Sequence, residues 1–319
     1  MREGNVVFGE AELKAAVCAH GYRDLVRDPT DSSLATLFPR KGEPQQAYLR
    51  FARKPSRFAN EEAALTLIHQ KLEMAPVTQL LLSLPDIGEG LLIVDYLPGV
   101  NLADFIPAGA NIPTMPLTYR RSQPETEVGL LDALVDAGKA VRRLHEIILP
   151  RFCTLVGAHP NPHLHNAQAY TRQEARHMLG RAVELGYITQ VEEESITGWF
   201  EGRLPLIEET EKPSLTHFDL HAGNVRFCVR DGRIQFLAIF DFELARGWLP
   251  EDDLALLSWY LRALPQGWEA FCEGYGAAIN QQRLQLFEMI KALTAVAYSK
   301  NDYDWRDWCH NRIQKLLLQ

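Results

Sequence analysis

The sequence predicts an α+β fold in two lobes, a small β-rich N-lobe over residues 1–99 and a larger, mostly helical C-lobe over residues 100–319. Three observations predict it. Short β-rich runs separated by turn residues occupy the first hundred positions, with one helical run among them. A connector from Pro107 to Pro124 holds four prolines, a composition that interrupts regular structure. Beyond it, apolar residues recur mainly at helical spacing. With 319 residues, 46% hydrophobic and 23% charged, the chain has the make-up of a globular protein whose lobes share one cleft.

The elements follow in order. Leu34–Phe38 reads as a strand, Gly42-Glu43-Pro44 as a turn, and Gln46–Ala52 as a second strand with Tyr48, Arg50 and Ala52 on one face. From Arg57 to Leu72 the residues Ala64, Leu65, Ile68 and Leu72 mark a helix, and Leu91–Leu97 is a strand stopped by Pro98-Gly99. Ser122-Gln-Pro-Glu125 matches a capping box with proline in the first turn, which starts a long amphipathic helix ending near Pro150. Helical patterns run from about Tyr170 to Phe200 and from Leu254 to the C-terminus.

Composition excludes several classes. A net charge of −8 argues against general nucleic-acid binding, which needs a basic face. Five cysteines without a C-x-x-C pair argue against a disulfide framework or a zinc knuckle, and read as reduced thiols. No signal peptide is visible, and the most apolar stretch, Val77 to Leu97, is broken by Pro85-Asp86 and Gly88-Glu89-Gly90, too interrupted to span a bilayer. A cytoplasmic protein is expected, and no sequence signal bears on oligomeric state.

The most informative stretch is Leu215-Thr-His-Phe-Asp-Leu-His-Ala-Gly-Asn224, followed by Ile239-Phe-Asp-Phe-Glu243. Between them two β-rich runs flank Asp231-Gly232, a strong two-residue hairpin signal. Regular pairing back from that turn puts Asn224 opposite Ile239 and Asp241 on the same face, with Cα atoms about 8 Å apart. A carboxamide and a carboxylate so placed can share one hard cation. Asp219 enters at the same end as a free carboxylate. Phosphoryl transfer needs these parts: Mg²⁺ for the phosphates and a carboxylate to take the acceptor's proton.

His217-Phe-Asp219-Leu-His-Ala-Gly-Asn224 has the H-x-D-L-x-x-x-N spacing of the protein-kinase catalytic loop, and Asp241-Phe242-Glu243 stands where D-F-G would. The wording "DLHAGN", Glu243 for the glycine, and Asp253-Leu-Ala255 resemble the aminoglycoside phosphotransferase family of small-molecule kinases. Tyr48-Leu-Arg50, Glu62, Leu92–Gly99 and Leu144-His145 extend the resemblance over nearly the whole chain. It implies a protein-kinase-like bilobal fold that transfers the γ-phosphate of ATP, or of GTP, to a small-molecule hydroxyl. By position, Asp219 would be the catalytic base, Asn224 and Asp241 the Mg²⁺ ligands, and His217 a brace for the metal-binding loop. Arg50 would contact the phosphates, with Lys54 of the same strand parity as the alternative. Glu62 would be the helix partner, Glu61 beside it being the other choice. Asp95 to Leu97 would hold adenine, and Ser32 and Ser33 would cap phosphates where no glycine-rich loop stands.

Other readings compete. His217, Asp219 and His221 would share a face on a strand, as in a zinc or iron hydrolase, whereas a loop gives His221 local hydrogen bonds instead. His159, His163 and His165 lie among prolines and read as a surface loop. The acids Glu192–Glu194, Glu201, Glu208, Glu209 and Glu211 read as a solvated face, yet they keep a cationic acceptor open alongside other small hydroxyl compounds. Asp302–Trp308, acids alternating with aromatics, reads as a helix start with its tryptophans inward or as a face for such an acceptor. Only eleven residues separate Asp241 from Asp253 and no A-P-E follows, so a peptide-docking segment is missing and a protein kinase is disfavoured. A kinase-like protein that binds nucleotide without turnover is the remaining rival.

Overall fold

A computed structural model of the chain describes residues 10–19, 22–27, 34–39, 47–51, 55–73, 77–84, 91–107, 126–156, 166–208, 211–299 and 303–319. Helix α1 (Glu10–Ala19) precedes strands β1 (Tyr22–Arg27), β2 (Leu34–Pro39) and β3 (Ala47–Phe51), helix α2 (Pro55–Lys71), and strands β4 (Leu80–Leu84) and β5 (Leu91–Asp95). The five strands form one antiparallel sheet in the order β1-β2-β3-β5-β4. Arg50 lies on the middle strand, paired with Leu34 on one side and Leu92 on the other. The expected helix stripe is the buried one: Ala64, Leu65 and Ile68 are fully covered. The expected turn at 42–44 lies outside the described residues, as do Ser32, Ser33, Lys54 and His159–His165.

After β5 the chain turns through Gly99 into β6 (Val100–Asn101), which joins a second sheet with β9 (Val225–Arg230) and β10 (Arg233–Ile239) once α3 (Leu130–His145), β7 (Cys153–Thr154), α4 (Ala167–Glu184), α5 (Gln190–Arg203) and β8 (Ser214–Thr216) have intervened. Gly99 has φ +130°, and a Cβ there would sit 1.9 Å from the Phe227 carbonyl oxygen. Only glycine permits that approach. The remaining elements are β11 (Arg246–Trp248), α6 (Pro250–Leu261), α7 (Gly267–Tyr275), α8 (Gln281–Tyr298) and α9 (Tyr303–Leu317). No described helix is long and apolar enough to cross a membrane.

One expectation fails here and one competing pair is decided. The long helix does not run from Ser122: residues 126–129 are non-helical, and α3 begins at Leu130 after Gly129 in the left-handed region. The Val128 carbonyl instead accepts from the Ile234 N–H at 2.8 Å, so this segment is spent on the edge of β10. At the C-terminus the aromatic–acidic run starts α9. Trp305 is buried, 6.0 Å from Trp259, and stacks on Trp308 at 5.6 Å, so the inward-packed reading holds.

Candidate active site

Asp231 (φ 51°) and Gly232 (φ 71°) make the tight turn that the Asp-Gly pair demands, and Arg230 faces Arg233 as expected. The register then slips between Phe236 and Ala238, a bulge that puts Ile239 opposite Val225. Asn224 therefore meets Phe240, whose N–H donates to its carbonyl at 3.2 Å. The simple pleat argument that paired Asn224 with Ile239 is overturned. Asn224 closes a single 3₁₀ turn, Ala222–Asn224, and Asp241 leaves the strand with φ 73° and ψ 56°. Aspartate tolerates that left-handed conformation.

Asn224 is buried, and its amide nitrogen donates to the Asp219 carbonyl at 3.0 Å. That ties the loop's start to its end and commits the nitrogen, leaving the amide oxygen as the group suited to a hard cation. Asp219 keeps its carboxylate 44% exposed, 4.0 Å from the His221 Nε2. The His221 Nδ1 accepts from the Gly223 N–H at 2.9 Å, which puts the ring proton on the side facing Asp219. Burial lowers the His221 pKa, while Asp219 and then Asp241 act on it in the opposite sense; both carboxylates thus act on one imidazole.

His217 is buried between these parts. Its Nε2 donates to the Phe240 carbonyl at 2.8 Å and its Nδ1 accepts from the Asp219 N–H at 3.3 Å, a pair of bonds that one neutral tautomer satisfies. The ring therefore links the candidate base to the strand end that delivers Asp241. These commitments also remove the histidine metal-site reading. His217 has no nitrogen left to bind a metal, and among the described residues no group of three or more His, Cys, Asp or Glu is placed to hold one.

Asp253 has the strongest hold on the loop, and no role was expected for it beyond the family wording. Its fully buried carboxylate accepts from the His217 N–H at 2.7 Å, the Phe218 N–H at 2.6 Å and the His145 Nε2 at 3.1 Å. Burial would raise its pKa, but the bonds from His145 and His217 outweigh that and hold it below the usual carboxylate value. Tyr275 in turn meets the His145 Nδ1 at 3.0 Å. Beside it, burial lifts the Asp252 carboxyl to about 6, opposed by the Lys291 ammonium at 2.7 Å.

Phe218, between His217 and the candidate base, has φ 70°. A bulky residue in this region costs about 1–3 kcal/mol unless its surroundings over-determine it. Its ring lies 3.2 Å from the Arg246 guanidinium carbon and 4.4 Å from the Lys291 nitrogen, and its carbonyl accepts from Lys291 at 3.0 Å.

The nucleotide side is arranged differently from expectation. Glu61, not Glu62, is the buried carboxylate of α2. In a helix starting at Pro55, position 61 shares the inward face with Ala64, Leu65 and Ile68, and position 62 lies a step off it. Asp95 is tied to the sheet edge: its N–H donates to the Gln79 carbonyl at 3.1 Å and its carboxylate accepts from the Gln79 N–H at 2.8 Å. The Leu97 carbonyl accepts from the Arg226 Nε at 2.9 Å, and Arg226 also reaches the Asn101 side chain at 2.7 Å. Thus the segment after β5 is braced by the β9–β10 hairpin. Helix α2 is pinned to the same unit: Arg57 pairs with Glu243 at 2.5 Å, and Asn60 donates to the Glu243 and Ala245 carbonyls at 3.1 and 2.7 Å.

Several of the acids are paired within the fold. Glu192 pairs with His310, Glu201 with Arg172 and Arg176, Glu251 and Glu211 with Arg283, and Glu288 with Arg262 and Arg312. A cavity of about 570 Å³ lined by Ile148–Phe152 and Glu211–Pro213 sits at the entry of β8, whereas the catalytic loop leaves its other end; it contains none of the expected site residues.

Solved structures share this architecture. A macrolide 2'-phosphotransferase from Brachybacterium faecium is 17% identical, with TM-score 0.58 over 95% of this chain and 97% of that one. The choline kinase of Streptococcus pneumoniae is 12% identical, with TM-score 0.58 over 96% and 97%. An aminoglycoside phosphotransferase from Streptomyces rimosus, solved with ADP and streptomycin, is 17% identical, with TM-score 0.52 over 89% and 97%. No curated protein matches the chain. At these identities the likeness establishes a kinase-like phosphotransferase fold. The sequence itself matches the model of the phosphotransferase enzyme family over residues 29–287, from β2 through the loop at His217–Asn224 and the β9–β10 hairpin into α8, and the chain belongs to that family.

Proposed function

We propose that the protein transfers the γ-phosphoryl group of ATP to a hydroxyl of a small molecule. The observation that carries this reading is one loop-and-hairpin unit in which Asp219, its carboxylate half-exposed, is bonded through its main-chain carbonyl to the Asn224 amide and, through the His217 ring, to the carbonyl of Phe240 beside Asp241. Asp219 accepts the acceptor's hydroxyl proton as the oxygen–phosphorus bond forms and the bond to the ADP oxygen breaks. A Mg²⁺ ion held by the Asn224 amide oxygen and the Asp241 carboxylate would neutralise phosphate charge; two hard oxygens, with phosphates and water completing the shell, suit it. Arg50, on the central strand, is the phosphate-binding cation of this reading, and Glu61 takes the place expected of Glu62. The Leu97 N–H serves adenine, since its carbonyl is shared with Arg226. GTP uses the same phosphate contacts. The Streptomyces rimosus structure with ADP and streptomycin supports nucleotide use and a small acceptor.

The test is thermal stabilisation by ATP together with radiolabel transfer to a panel of aminoglycosides, macrolides, amino-sugars, choline-like alcohols and sugars. Stabilisation that requires Mg²⁺ and is lost in Asn224→Ala, with labelling of at least one hydroxyl compound, is the expected result. Stabilisation without labelling of any compound would favour nucleotide binding without turnover.

A further inference from the structure

We propose that Lys291 of α8 is a positioning residue for the candidate base, clamping the Phe218 carbonyl from one side while Asp253 holds the His217 and Phe218 N–H groups from the other; this rests on the phosphotransfer reading. The Lys291 nitrogen donates to the Phe218 carbonyl at 3.0 Å and to Asp252 at 2.7 Å, with its side chain only 13% exposed. The carbonyl it holds belongs to the peptide unit whose N–H, that of Asp219, donates to the His217 Nδ1 at 3.3 Å. That peptide is therefore held at both ends, and its plane sets where the Asp219 side chain starts.

The conformation needs such a hold. Phe218 has φ 70°, a region that glycine or asparagine enters freely and an aromatic residue does not. Asp253 fixes the peptide before Phe218 and Lys291 the one after it, so the residue is over-determined on both sides. Arg246 against the ring holds the side chain. The buried Lys291–Asp252 pair is a poor device for stability, because desolvating both charges offsets their attraction. Its geometry makes it a good device for position: Asp252 orients an ammonium, and a second of its three donors reaches one main-chain oxygen beside the base.

The test uses the full chain with ATP, Mg²⁺ and an acceptor found by the panel. Lys291→Met is expected to lower kcat by about 100-fold with KM for both substrates within about twofold. Lys291→Arg, which keeps a donor and a charge, recovers part of the loss. In a Phe218→Gly background, where the left-handed conformation carries no penalty, the further cost of Lys291→Met falls below about threefold. Where Lys291→Met does not fold, Lys291→Met with Asp252→Asn removes both charges and is expected to fold with the same loss in kcat. A loss carried by KM, or one that persists undiminished in the Phe218→Gly background, overturns the proposal. Amide hydrogen exchange at Phe218 and Asp219 separates this from failure of the phosphotransfer reading, because it needs no acceptor. About tenfold faster exchange in the lysine variant supports the clamp, and unchanged exchange contradicts it even if no acceptor is ever labelled.

Discussion

The side expected to carry catalysis and the side expected to hold nucleotide are held by different means. On the catalytic side, three consecutive residues, His217, Phe218 and Asp219, have N–H groups bonded to Asp253 or His217 itself, and the Phe218 carbonyl goes to Lys291. Every one of those bonds comes from a side chain, three of them from residues 35, 36 and 73 positions away. On the nucleotide side, Arg50 owes its position to strand pairing, and the hinge owes its position to a glycine pressed on β9 and to Arg226. Buried charge holds the first, and strand register, a close glycine contact and Arg226 hold the second. Damage should therefore separate: changes to the charges should strike turnover, and changes to the packing should strike nucleotide binding.

The largest expected effect is Asp253→Ala. It orphans two buried N–H groups, at about 1–3 kcal/mol each, and frees the loop. Loss of kcat by about 100-fold or more with little change in ATP affinity is expected from steady-state kinetics and nucleotide titration. A variant that instead lost ATP binding and kept kcat would erase the distinction between the two sides. Next comes Gly99→Ala, which forces a Cβ against the Phe227 carbonyl at positive φ. Calorimetry should show a loss of about 1–3 kcal/mol, and ATP binding should weaken more than turnover at saturation. The smallest concerns α2. Glu61→Gln is expected to weaken ATP binding about tenfold, the worth of one charge-assisted hydrogen bond, while Glu62→Gln stays within about twofold. The reverse order would return the role to Glu62.

Much of this was legible in the residues. Short β-rich runs bounded by turn residues marked β2, β3 and β5, the stripe Ala64-Leu65-Ile68 marked α2, and Asp231-Gly232 marked the hairpin, because each is a local rule with a local signature. β1 was missed since Tyr22–Arg27 mixes four polar or charged residues with Leu25 and Val26 and shows no clean alternation. β4 was missed for the opposite reason: Leu80–Leu84 is nearly all leucine and carries no period at all. The bulge before Ala238 has no signal in Gln235–Ile239, and it moved Asn224 by one step against its partner strand. At the site, the spacing His217-x-Asp219…Asn224 was readable, but the role of Asp253 and the use of Lys291 were not. Both act on the loop through contacts made only when α6 and α8 pack beside it. The sequence carries no sign of the left-handed conformation at Phe218, because the bonds that hold it come from Asp253 and Lys291.

The central claim is that Asp219 takes the acceptor's proton during phosphoryl transfer, and Asp219→Asn tests it most directly. In single-turnover transfer from γ-labelled ATP to an acceptor found by the panel, the account predicts a rate lowered by about 10²–10⁴-fold, with Mg²⁺-dependent ATP binding unchanged. Transfer by Asp219→Asn at the wild-type rate would contradict it.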